Sequence, residues 1–304
     1  MSSYATLAQA EADLKFDSLN PTSAEVISGK AYIIQALQFV SARIDQICGQ
    51  EFAPRIETRP YDVTQRYVDR WRNQLILDRP LLEAIEVRVA GTLLTQWDGL
   101  IYADRPNYDY MTYPEGATPA TALQGLQNNQ AWIPLFNYGW SISAAMSAIK
   151  VDAVWGFRTR YFEEGWLASG ATVQDNPLSS SATTITVSSA APFSPGQLLR
   201  IGTEYISVSA VTDGVTDTLT VQRGVRGSTA AAHLQNAAIE IFQPEPNIVR
   251  ATLRWSGFLY QKRTEYTQIT INAANTYAAV FPADIPDEVM NILQQYINIQ
   301  SAKV

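Results

Sequence analysis

The sequence predicts an α+β fold: a helical domain with a small antiparallel sheet, interrupted by an inserted all-β module, a small barrel or sandwich. Three observations lead there. Apolar stripes of helical period lie near the two ends of the chain, strand-like alternation dominates from Arg55 to Phe157, and composition shifts sharply near Gly165. At roughly 150 residues per domain, 304 residues fit two domains. The expected boundaries are 1–165 plus 243–304 for the discontinuous helical domain and 166–242 for the module.

The elements follow in order. Residues 4–15 read as a short helix, with Thr6 able to cap it and Leu7, Ala10 and Leu14 on one face. Thr22 and Glu25 have the spacing of a capping box. Behind it Ile33, Leu37, Val40, Ile44 and Ile47 recur at three and four residues, and Gly49 is placed to end the helix. That stripe reads as the core face of a packed helix, and a long helix also suits side-by-side packing of subunits. Strands are expected around Arg55–Arg59, Gln65–Asp69, Leu75–Leu77, Ile85–Val89 and Val151–Trp155, with Asp78-Arg79-Pro80 as a turn. Asp104 to Gln130, rich in Asn, Pro, Gly, Tyr and Gln, reads as a long loop.

From Leu167 to Ile241 there is no Trp and no Lys, and Ser and Thr make up 20 of 75 residues. Short alternating segments start at Thr184, Leu198, Glu204, Thr218 and Ala238, with Pro195-Gly196 and Asp213-Gly214 as turns. Beyond it a helix is expected from about Asn247 to Arg263. Pro286-Asp287-Glu288 then opens a last helix whose stripe is Val289, Ile292, Leu293 and Tyr296.

Composition narrows the chemistry. One cysteine, Cys48, excludes an internal disulfide, and one histidine, His233, leaves little for a triad or a metal site. The net charge is −7, which disfavours sequence-reading of nucleic acid yet suits a surface past which DNA must slide. Only five of 22 basic residues are Lys, and arginine suits fixed pairing at interfaces. The expected catalytic, cofactor and metal sets are none, and no segment is long and apolar enough to span a membrane.

Each weak signal has a plain alternative. Gly224-Val-Arg-Gly-Ser-Thr229 has the look of a phosphate loop but lacks its Lys, so it reads as a turn. Glu163 and Glu164, adjacent on a strand, would point apart. Glu11, Asp13, Asp17 and Glu25 lack calcium-loop spacing. The aromatics Tyr102, Tyr108, Tyr110, Tyr113, Trp132, Phe136, Tyr138 and Trp140 fit a local core, an interface, or stacking against a sugar.

Three stretches carry a family resemblance: Thr6 to Lys15 with the long helix ending Ile47-Cys-Gly49 and then Phe52-Ala-Pro54; Leu75-Ile-Leu-Asp-Arg-Pro-Leu-Leu82; and Val151-Asp-Ala-Val-Trp-Gly156 with Pro246 leading into Ile248 to Arg254. In this order they resemble the tailed-bacteriophage head–tail adaptor family, also called head–tail connector or head-completion proteins. The resemblance covers about 4–160 and 244–304. Separately, Leu219 to His233 resembles a small β module recurrent in phage structural proteins, lying where family members usually have no insertion.

The resemblance implies a helical adaptor domain in a non-enzymatic virion protein. It implies a ring, usually of twelve copies, between portal and tail, through which double-stranded DNA passes without being read. The implied partners are its own copies, the portal protein and the next tail component (stopper, nozzle or tail terminator). The implied location is the head–tail junction of the virion, after assembly in the host cytoplasm. Portal docking falls to Tyr296, Ile297, Ile299 and Lys303. Pairing between subunits or with the portal falls to Arg43, Arg250, Arg254 and Arg263, and a tail-facing or inter-subunit loop to Tyr108, Tyr110, Tyr113 and Trp132. The alternatives are another tail, baseplate or capsid-decorating protein with a β adhesion or carbohydrate-binding module, and a sugar-acting protein.

Overall fold

The computed structural model describes residues 3–14, 24–62, 67–69, 72, 74–97, 108–126, 148–262, 269–271, 277–279 and 285–297. The chain divides into two compact units, one of Met1–Gly49, Leu167–Val225 and Thr229–Ile297, the other containing Gln50–Trp166 and Arg226–Ser228. The helices at the two ends of the chain and the inserted sheet therefore fall in one unit, where the sequence grouped those helices with the first sheet.

The second unit is built on a seven-stranded antiparallel sheet. Its strands are β1 (Arg55–Tyr61), β2 (Val68–Asp69), β3 (Gln74–Val89), β4 (Thr92–Leu94), β5 (Tyr110–Tyr113), β6 (Ala120–Gly125) and β7 (Ile149–Trp155). β3 runs 16 residues through the middle, pairing β2 and β6 with its first half and β4 and β7 with its second. Leu75 faces Leu123, and Val87 faces Val151. Tyr61, Leu75, Leu77, Leu81, Val87, Leu123, Val151 and Trp155 form the core.

Two expectations are corrected here. Asp78-Arg79-Pro80 is no turn but the interior of β3. Proline has no N–H to give a ladder, and Pro80 stands in the irregularity of the β3–β6 register between Ile76 and Leu81, before the β7 pairing begins at Leu81. The Asp78 carboxylate reaches β1, a strand not paired with β3, accepting from Tyr61 Oη at 2.6 Å and Arg59 Nη1 at 2.9 Å. The Asp104–Gln130 stretch, read as a loop, contains the hairpin β5–β6, in which Tyr110 faces Gly125 and Tyr113 faces Ala122. Its Asn, Pro and Tyr content masked a short period-two pattern.

A one-turn helix, α3 (Tyr161–Glu164), follows β7, so Glu163 and Glu164 lie on a helix and not a strand. Glu164 pairs with Arg158 and Arg160.

In the first unit, α1 (Leu7–Leu14) begins at a closed capping box: Gln9 N–H donates to Thr6 Oγ1 at 3.1 Å, and Thr6 N–H donates to Gln9 Oε1 at 2.9 Å. α2 (Ala24–Cys48) ends at Gly49, whose φ of +64° is the left-handed conformation that stops a helix. The Thr22–Glu25 box lies outside the described residues. α4 (Pro246–Lys262) opens on a proline whose missing N–H would have been unpaired there anyway, and α5 (Asp287–Leu293) runs into a 3₁₀ turn, Gln294–Tyr296. Ala10, Ile33 and Leu37 pack with Leu14, Val249 and Leu253.

The same unit holds a six-stranded antiparallel sheet: β8 (Trp166–Thr172), β9 (Thr184–Thr186), β10 (Leu198–Ile201), β11 (Glu204–Thr212), β12 (Thr218–Gln222) and β13 (Ala238–Phe242). The order is β8-β13-β10-β11-β12-β9, and a bridge from Val173 to Val187 links the two ends of the path. Val173, Ile185, Leu199, Ile206, Leu219 and Ile239 fill its core. A two-stranded hairpin, β14 (Ile269–Ile271) and β15 (Tyr277–Ala279), completes the described elements.

The expected fold class is thus overturned. Two large antiparallel sheets dominate, with 37% of the chain in strands against 27% in helices, in place of a helical domain carrying a small sheet. The polar aromatic stretch hid β5 and β6, and Pro80 hid that two expected strands are one continuous β3.

Candidate functional site

The helical layer leaves an outward face whose chemistry differs from the rest of the chain. Its inner side is fixed by buried hydroxyls. Ser41 Oγ donates to Leu37 O at 2.7 Å and accepts Tyr4 N–H at 3.0 Å, and Tyr4 Oη donates to Asp45 Oδ1 at 2.5 Å. On α4, Thr252 Oγ1 and Ser256 Oγ donate one turn back, to Ile248 O and Thr252 O. Hydroxyls satisfied on their own helix stay small and dry, which suits close packing.

What remains outward on α2 is Ser28, Ala31, Gln35, Phe39, Ala42, Arg43 and Gln46, spanning about 27 Å. Among its described side chains this face shows no acid, and Phe39 is 54% exposed at its middle. On α4 the outward residues are Pro246, Asn247, Arg250, Arg254 and Gln261, again with no acid.

The proposed arginine set is split. Arg43 is exposed and donates to Gln46 Oε1 at 2.9 Å. Arg250 and Arg254 are one turn apart on the outer face of α4, but Arg250 already holds Glu288 of α5 at 2.8 Å. Arg263 lies outside the described residues. The aromatic set is split as well. Tyr110 is 2% exposed inside the sheet core, where it cannot face a partner, and burial pushes its hydroxyl pKa up. Tyr108 packs against Trp97, Met111 and Leu126, Tyr113 is exposed, and Trp132 lies outside the described residues.

At the C-terminal end Tyr296 is half-buried, and its hydroxyl accepts Asn247 Nδ2 at 3.0 Å, tying the last turn to the start of α4. Burial raises its pKa, with the Glu245 charge acting in the same direction. Ile297 is 39% exposed, and Ile299 and Lys303 lie outside the described residues. The lone Cys48 is buried against α5, its Sγ 4.0 Å from Leu293 O, and burial pushes its pKa up to about 12, so it stays a neutral thiol.

A second constellation was not read from the sequence. Glu204, its side chain wholly buried, accepts Arg223 Nε and Nη2 at 2.7 Å each, Gly224 N–H at 3.0 Å, Ala231 N–H at 3.1 Å and His233 Nε2 at 2.8 Å. Burial alone would raise its pKa, but these donors outweigh it and hold the carboxyl below the usual range. Arg223 also donates to Ser179 O and Ala231 O. The Gly224–Thr229 segment is therefore the first part of a turn gathered around one carboxylate. A lone Glu, Arg and His at spacings of 19 and 10 carry no sequence signature, which is why only the fold exposes them.

Other charges of the module are similarly engaged. Arg200 pairs with Glu240 at 2.7 Å, Asp175 accepts from Thr186, and Asp217 accepts the N–H groups of Ala190 and Gly214. Glu11, weighed above as a cation ligand, pairs with Lys30 at 2.6 Å, and Asp17 lies outside the described residues. Among the described residues, no three His, Cys, Asp or Glu side chains are grouped to hold a metal, and no helix is long and apolar enough to cross a membrane. Comparison with models of known families, with curated proteins and with solved structures finds no match in any of the three.

Proposed function

We propose that this chain is a structural, non-enzymatic ring component of a tailed phage: a head–tail adaptor that joins copies side by side, docks a portal, continues the DNA channel and receives the next tail component. The observation that carries the reading is the outer face of α2, where Phe39 stands exposed among Ala31, Gln35, Ala42 and Arg43, with no acid among the described side chains there. In a chain of net charge −7, copies approaching around Phe39 meet no acid–acid repulsion from these side chains, and a large ring exposed beside small residues gives a partner something to cover.

The sequence stretches that resemble the adaptor family support it too. They occupy α1 and α2, the middle of β3, β7 and the start of α4, the elements on which the two units are built. The acidic balance suits a lumen that repels phosphates.

The test is particle mass and symmetry-averaged electron microscopy of the full chain, alone and with portal-bearing heads. Closed rings, or attachment to the portal vertex, are expected. Phe39→Asp should abolish both while leaving the melting temperature unchanged. A wild-type chain that stays monomeric and never attaches to heads would refute the reading.

A further inference from the structure

Three arginines from separate parts of the second unit converge on one glutamate. Glu51 Oε2 lies 2.6 Å from Arg226 Nη2 and 3.2 Å from Arg55 Nε, and Oε1 lies 3.5 Å from Arg79 Nη1. The group carries three positive charges against one negative, an excess of cation in a chain with 29 acids and 22 bases.

The arginines are not equivalent. Arg226 is consumed: it also donates to Pro54 O at 2.7 Å and Ala53 O at 2.9 Å. Its backbone is locked, since Arg226 has a φ of +55° and its carbonyl accepts Ile56 N–H at 2.9 Å. The next residue must be small, because a Cβ on Gly227 would collide with Ile56 O. Arg55 and Arg79, at 46% and 38% exposure, touch only one Glu51 oxygen each among the contacts above, and each guanidinium offers five N–H donors.

We propose that Arg55 and Arg79, held by the buried-side anchor of Arg226, form a binding site for a carboxylate-rich segment of a neighbouring protein, with Glu51 as an internal placeholder. A carboxylate is favoured over a nucleic-acid phosphate for one reason. The trio already accommodates one carboxylate at contact distance, that of Glu51, and the same planar forks can take another in its place. Removing the placeholder charge therefore frees donors and strengthens the site, the reverse of what a purely structural ion pair would do for a ligand.

The experiment titrates poly-glutamate and a duplex DNA of matched charge onto the full chain at low and moderate salt. The expected order for poly-glutamate is Glu51→Gln tightest, several-fold above wild type, with Arg55→Gln/Arg79→Gln reduced roughly tenfold or more, and binding falling as salt rises. Melting temperatures identify any variant that does not fold, and Arg79→Lys, which keeps charge but loses the fork, should weaken binding by less than the double variant. Equal binding by wild type and the double variant, loss of binding in a folded Glu51→Gln, or tighter binding of DNA than of poly-glutamate would each overturn the proposal. None of these outcomes depends on whether Phe39 assembles rings.

Discussion

Arg223 holds Glu204 through two parallel hydrogen bonds of 2.7 Å, one from Nε and one from Nη2, where the carboxylate has no exposure to solvent. The pair joins the start of β11 to the residue after β12. With three further donors on the same carboxylate, it turns an eleven-residue stretch, Arg223 to His233, into a fixed connection.

Glu204→Gln should destabilise the chain by about 3 kcal/mol or more, because it strands a guanidinium that is itself only 5% exposed. Urea unfolding followed on the full chain checks this. A loss under about 1 kcal/mol would mean that Arg223 finds other partners.

The same group sets an acid dependence. Its carboxyl pKa is lower folded than unfolded, so below the unfolded value the unfolded chain binds the extra proton and acid favours unfolding. The contribution is complete above the ordinary glutamate pKa and fades as pH falls through the lowered one. Stability measured against pH should show this acid-side slope in wild type and a shallower one in Glu204→Gln.

Tyr110 and Tyr113, three residues apart, separate core from surface. Tyr110→Ala should cost about 3 kcal/mol or more by opening the sheet core, whereas Tyr113→Ala should stay within about 0.5 kcal/mol. Thermal melts of the two variants distinguish them. Any effect of Tyr113→Ala on attachment to tails would then report on docking rather than folding.

Gly156 closes β7 with a φ of +148°, and its N–H donates to Pro80 O at 3.0 Å. A Cβ there would stand 2.9 Å from Ala53 O. Gly156→Ala should therefore lower stability by about 2 kcal/mol, from backbone strain and the displaced carbonyl together. A neutral melt would show that the Ala53 segment yields without cost.

Much of the helical layer was legible in the sequence. The Thr6 cap, the Ile33–Leu37–Val40–Ile44 stripe and the stop at Gly49 are local features, each set by residues within a turn or two of one another. The sheet of the first half was legible only in pieces. Leu75–Leu77 and Ile85–Val89 were visible as strands, but whether Asp78-Arg79-Pro80 turns the chain depends on what lies across from the residues around it, which is β6 at Ile76 and both β6 and β7 at Leu81. Of the candidate site residues, Arg43 lies off the helical stripe, as its period requires; Phe39 lies off the same stripe but was not singled out in the sequence. Tyr110 and Tyr113 look alike in sequence and differ only by which side of the hairpin meets the core.

The sequence by itself determined where helices start and stop, that a Ser/Thr-rich β segment interrupts the chain, and that the whole is acidic and biased to arginine, because those properties depend on near neighbours and on counting. Only the tertiary structure decided that β3 is continuous, that Glu204 collects Arg223 and His233, and that Arg55, Arg79 and Arg226 meet at Glu51. Those pairings join residues up to 175 positions apart. Strand register and buried charge pairing are chosen by the partner across space, and no local pattern records that choice.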